Sequence, residues 1–220
     1  GPRLNKVCRK RYDVLVTLCL PSIPTPAMLS VIHIGSPANI SEYAFGLQPP
    51  LKESLSSDGT KKYLYEVPGG KYIETAYIQG EITNFILEVV FENPYASSAH
   101  RWDFGVVFRD TGGADQFYLW IESRGHWGLM NRTGEPNGQT IASGQLNNLN
   151  RGEGEENHLT LAAIGEVGYL FINEAFIAEL DLSSRLFPGS VKVATGMQRG
   201  DEVDGEITVY RSLYLWGLDE

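Results

Sequence analysis

From about Ser41 onward the chain falls into short segments in which apolar and polar positions alternate. Such segments cover residues 71–79, 83–92, 101–110, 115–123, 126–132, 139–144, 158–164, 167–173, 175–182, 190–196 and 206–216. Gly, Asn and Asp separate them, and turn signals recur about every 8–12 residues, which predicts an all-β sandwich. No amphipathic helix of three turns is visible. The single short helical candidate is 182–187, LSSRLF. No repeat at a fixed period points to a propeller or solenoid.

Alternation also assigns faces, because successive side chains of a strand point to opposite sides. Phe85, Leu87, Val89 and Phe91 share one face, with Glu88 and Glu92 on the other. Trp102, Phe104, Val106 and Phe108 are expected inside, with Asp103, Gly105, Val107 and Arg109 outside. Phe117, Leu119 and Ile121 read as core, and Gln116, Tyr118, Trp120 and Glu122 face away. If these segments neighbour one another, the outer face gathers Glu88, Arg109, Gln116, Tyr118, Trp120 and His126. Trp127 and Trp216 are expected at the core or its rim.

Residues 1–40 read differently, as an N-terminal extension or linker before a sandwich at 41–220. Pro21, Pro24 and Pro26 forbid a long helix there. The stretch 6–28 has a basic start and a partly apolar centre, but Asp13 and those prolines interrupt it, against a signal peptide. Gly1-Pro2 resembles the pair a protease leaves on a recombinant chain; on that reading the native start, and any localisation signal, lies outside this sequence. Cys8 and Cys19 either form a disulfide, which implies an oxidising compartment, or stand as two free thiols. Without C-x-x-C, a thiolate metal site is not expected.

Composition narrows the partners. The chain has 220 residues, 18 Lys+Arg against 27 Asp+Glu, and a formal charge of −9. That balance disfavours nucleic acid, which is bound by neutralising phosphates, and anionic membrane surfaces. No uninterrupted apolar run of about 18 residues predicts membrane insertion. The 24 glycines and 11% aromatic residues agree with a β-rich, turn-rich chain. His33, His100, His126 and His158 show no metal-ligating spacing. No nucleophile elbow, P-loop or dinucleotide fingerprint is present.

The segments FILEVVF, WDFGVVFRDTGGADQFYLWIES, HLTLAAIGEVGYLFINEAFIAELDL, GSVKVATGM and RSLYLWGL, in that order, resemble the concanavalin A-like lectin/glucanase superfamily. The resemblance spans 43–218 and is strongest to LamG/jelly-roll modules of bacterial surface proteins. In those a G-[VL]-[VIL]-F-R strand precedes a [YF]-Y-x-[FLW]-x-I strand, and a later hairpin often carries Gly where this chain has Glu174. The resemblance implies a two-sheet antiparallel jelly-roll sandwich with one concave face. Lectins, adhesion modules, glucanases and non-catalytic appendages all share that fold, so it does not settle function.

The stretch RGDEVDGEITV, 199–209, puts Glu202, Asp204 and Glu206 at alternate positions. Retaining glucanases of this superfamily carry E-x-D-x-E on a cleft strand, with two carboxylates about 5–5.5 Å apart. On a flat strand the outer two would stand roughly 13 Å apart, at about 3.3 Å per residue. Asp204-Gly205 is a turn pair, the surroundings are charged throughout, and the triplet abuts the last strand. It therefore reads as a solvated acidic loop, with Ca²⁺ ligation by Asp201, Asp204 and Glu206 as a minor alternative.

The expected function is non-catalytic recognition, by carbohydrate binding on the concave face. Aromatic rings would stack on sugar C–H faces, and planar polar groups would take hydroxyls. The alternatives are a protein-interaction module and, lower, a glycoside hydrolase using Glu202 and Glu206. The expected location is extracellular or cell-surface, with no cofactor beyond that Ca²⁺ option.

Overall fold

The computed structural model describes residues 52–53, 61–65, 73–134, 138–197, 203, 205 and 207–218. The chain divides into Gly1–Ala38 with Glu220 and Asn39–Asp219, and every described residue belongs to the second unit. Cys8, Cys19 and the carboxylates Asp201, Glu202, Asp204 and Glu206 lie outside the described residues.

The described strands are β1 (Lys52–Glu53), β2 (Lys62–Tyr65), β3 (Glu74–Ile82), β4 (Phe85–Glu92), β5 (Asp103–Asp110), β6 (Asp115–Glu122) and β7 (His126–Thr133). There follow β8 (Gln139–Gln145), β9 (Glu156–Ile164), β10 (Val167–Ile172), β11 (Ala175–Asp181), β12 (Gly189–Thr195) and β13 (Ile207–Gly217). They build a seven-stranded sheet, β1-β13-β4-β9-β10-β11 with β2 also on β13, and a six-stranded sheet, β3-β12-β5-β6-β7-β8. All pairings are antiparallel. The all-β jelly-roll sandwich expected from the sequence is therefore what the chain forms.

The predicted inward residues meet in one core. Phe85, Leu87, Val89 and Phe91 from β4 face Phe104, Val106 and Phe108 from β5. Phe91 stacks on Phe104 with centroids 4.5 Å apart, and Phe85 meets Phe108 edge-on at 5.9 Å. Trp127 is part of the same core, and Trp216 is buried as well. Two short strands were not predicted. In β2 only Leu64 is buried, too little for a periodic signal, and β1 is two residues long. The helical candidate at 182–187 is instead a turn, closed by the Arg185 N–H donating to the Leu182 carbonyl at 3.1 Å.

The two ends of the sandwich are closed by polar groups. At one end Arg109, fully buried, donates to the carbonyls of Thr83 (3.2 Å), Leu182 (3.4 Å), Arg185 (2.7 Å) and Gly165 (2.7 Å). These belong to the β3–β4 corner, the β11–β12 loop and the β9–β10 turn. At the other end Asn157 donates to Asn93 Oδ1 and to the Asn150 carbonyl, and Asn173 donates to Asn157 Oδ1 and the Asn148 carbonyl. That set pins the loop that carries the chain from β8 in one sheet to β9 in the other.

Arg109→Lys keeps the charge but replaces a planar fork with a single ammonium that cannot span three loops. Each charge-assisted hydrogen bond lost inside a protein costs about 1.5–3 kcal/mol. Urea unfolding of this variant should show a stability loss of at least about 3 kcal/mol. An unchanged midpoint would refute the clamp.

Candidate functional site

The face of the six-stranded sheet turned away from the core carries the candidate site. Strand alternation puts Gln116, Tyr118, Trp120 and Glu122 of β6 on it, over roughly 20 Å. The pairings of β6 with β5 and β7 then set rows across the sheet. One row reads Ala194, Gly105, Trp120, Gly128 and Ser143. On one side of it lies the row Lys192, Val107, Tyr118, Met130 and Thr140. On the other lies Asp103, Glu122, His126 and Gln145. A single indole thus sits in a row of residues with little or no side chain, between two rows of larger ones.

The glycines are required there. A Cβ on Gly128 would meet Trp120 Cζ2 at 2.4 Å, so the indole lies directly over that backbone. A Cβ on Gly105 would meet the Leu119 carbonyl oxygen at 1.9 Å and the Met197 methyl at 2.5 Å. Trp120 stays partly exposed, and its Nε1 is enclosed with no hydrogen-bond partner among the described residues. Tyr118 is only 3% exposed, packed with Val107 and Ala194 beneath Ile73, Met130 and Met197. The wall beyond Trp120 is polar: His126 lies 3.2 Å from the Gln145 amide and cross-strand from Glu122.

Four of the six predicted residues therefore share this face: Gln116, Tyr118 and Trp120 on β6, and His126 on β7. Two do not. Glu88 is on the outer face of the other sheet, opposite Tyr214 and Thr160, because β4 and β5 face each other across the core instead of pairing side by side. Arg109 is turned inward at a positive-φ residue (φ 49°), where the alternation breaks, and its guanidinium is spent on backbone carbonyls. Sequence reasoning missed Lys192 and Asp110, which form an ion pair at 2.5 Å on this face, and Tyr77, 66% exposed on β3 opposite Lys192. The one available signal was the lone Lys192 among the valines of SVKVATG.

The outer face of the seven-stranded sheet carries its own polar array. Glu156 accepts from Arg211 Nε at 2.9 Å and from Arg211 Nη2, and Glu92 pairs with Lys61 at 2.5 Å. The hydrogen bond from Arg211 is the main cause that holds the Glu156 carboxyl below its usual range, against the opposing effect of burial. Among the described residues no group of three or more His, Cys, Asp or Glu could hold a metal ion.

No family model matches the chain, and no curated protein matches its sequence. Among solved structures, the carbohydrate-binding module CBM66 from Bacillus subtilis aligns at TM-score 0.52 and 11% identity, over 73% of this chain and 92% of that one. Sheep galectin-11 aligns at TM-score 0.42 and 14% identity, over 68% and 99%. The Caenorhabditis elegans galectin LEC-6 aligns at 0.43 and 14%, over 70% and 94%. At 11% identity the likeness to the first of these extends to architecture alone, a two-sheet antiparallel jelly-roll sandwich.

Two outcomes test this geometry. Gly128→Ala must displace the indole, so Trp120 fluorescence should shift and stability should fall by about 1–3 kcal/mol, as in overpacked sites; an unchanged emission spectrum would contradict the seating. Glu156 has a lowered folded pKa, so its contribution is present above the unfolded value, about 4.3 for Glu, and is lost as pH falls through the folded one. The stability gap between the native chain and Glu156→Gln should therefore be widest near neutrality and close in acid. A gap independent of pH would refute it.

Proposed function

We propose that this chain is a non-catalytic carbohydrate-recognition module whose glycan site is the outer face of the six-stranded sheet. The observation that carries the proposal is the seating of Trp120, one partly exposed indole laid over Gly128 in a row of small residues. A ring so placed is a platform for the C–H face of a sugar. Its Nε1 is enclosed, so the ring would act by stacking and not as a donor. The planar groups of Glu122, His126 and Gln145 line one side of it and would take the hydroxyls. Gln116 and Tyr118 support the platform from the same strand, Tyr118 from beneath a cover. The architecture shared with a carbohydrate-binding module supports the reading at the level of fold. Action outside the cell or at its surface belongs to the same proposal.

The test is a glycan screen with the native chain and Trp120→Ala, each checked for folding by thermal melting. Binding should fall at least tenfold in the variant, with a melting temperature close to native. Unchanged affinity would move the site elsewhere. A blank screen would overturn the glycan reading in favour of a protein partner, which rests on Leu186 and Phe187, 42% and 73% exposed on a loop tied down through Arg109 and Arg185.

A further inference from the structure

We infer that the outer face of the seven-stranded sheet, at its β2 edge, is a second saccharide-binding platform, built on Tyr63 and Tyr65. The inference does not rest on the reading of the six-stranded face.

Leu64 points into the core, so Tyr63 and Tyr65 both point out on the same side of β2, about 7 Å apart along the strand. They are 50% and 56% exposed. On β13 they lie opposite Val209 and Ile207, both partly buried, which extend the apolar strip inward. Beyond Val209 the same row continues to Glu92 and Glu156. Those two carboxylates are held by Lys61 and Arg211. Arg211 Nη1 also donates to Ser212 Oγ at 3.2 Å, so its guanidinium is fixed in place.

Chemistry selects the ligand class. The four charges cancel in pairs, so the array draws neither anions nor cations from a distance. Its groups are planar or fixed, and they present hydrogen-bonding edges beside two aromatic faces. A neutral polyhydroxylated ligand satisfies both features, with C–H faces on the rings and hydroxyls on the quartet. A protein partner does not fit: two half-exposed tyrosines offer on the order of 200 Å², against about 800 Å² per partner in a stable protein interface. The geometry of a paired platform also favours two adjacent sugar units over one.

The experiment reads the labelled full chain on a printed array of neutral oligosaccharides, as native protein, Trp120→Ala, Tyr63→Ala/Tyr65→Ala and Tyr63→Phe/Tyr65→Phe. All four are checked by thermal melting and sedimentation. The expected result is a set of signals that survive in Trp120→Ala, fall at least tenfold in the alanine pair and return in the phenylalanine pair. Return with phenylalanine separates stacking from a general loss of structure. The inference is overturned if the native chain is blank, or if no signal follows that pattern. It is also overturned if the native chain forms a concentration-dependent dimer that the alanine pair abolishes, which would assign the rings to self-association. Survival of the pattern in Trp120→Ala distinguishes this site from the one on the six-stranded sheet.

Discussion

The sandwich depends on the guanidinium of Arg109. The hydrophobic effect draws two apolar sheet faces together but has no direction, and it does not fix how far one sheet slides over the other. Four carbonyls from three separate connections converge on one planar cation at the end of β5. The β3–β4 corner and the β11–β12 loop each cross from one sheet to the other, so holding both fixes the sheets in relation to each other. Taking a cation out of water costs several kcal/mol, and only well-placed carbonyl dipoles offset that. At the opposite end neutral amides do the same work: Asn93, Asn157 and Asn173 share donors and acceptors with the loop at 148–152. β5 is anchored at the Arg109 end and β9 at the asparagine end, and the six-stranded sheet gains a rigid central strand beside the one that carries Trp120.

Strand positions and faces were legible because burial on one side of a strand writes a period of two into the sequence. Phe85, Leu87, Val89 and Phe91 are inside as that period requires, and so are Phe104, Val106, Phe108, Phe117, Leu119 and Ile121. The period says inside or outside; it does not say which sheet. Glu88 and Trp120 both point away from the core, yet on opposite sides of the molecule, because the connection after β4 crosses over and is not a hairpin. Arg109 failed for a different reason. A positive-φ residue near the strand end turns the side chain against the alternation, and nothing in VFRDTGG marks that position in advance. Asp110 and Lys192 could not be joined from sequence at all. They are 82 residues apart, and meet because β12 inserts between β3 and β5.

Glycine placement links the fold to the candidate site. In an ordinary strand interior glycine weakens the sheet, since it has no side chain to pack and more backbone freedom to lose. Gly105 and Gly128 flank Trp120 in one row; Gly128 makes room for the indole, and Gly105 for the Leu119 carbonyl and the Met197 methyl. Trp127, inside the main core, is seated in the same way over its cross-strand neighbour Gly144, where an added Cβ would meet its Nε1 at 2.6 Å. A glycine opposite each indole thus answers to the bulk of the ring on either face of the sheet, and partial exposure is what sets Trp120 apart from Trp127.

Charge gives the last step. The chain is strongly acidic at −9, and three cations on the two outer faces are matched locally: Lys192 by Asp110, Lys61 by Glu92 and Arg211 by Glu156. Here the ion pairs hold polar groups in place while cancelling the field they would otherwise project. What is left at each face is an aromatic ring beside fixed hydrogen-bonding edges, the combination on which both proposed sites rest.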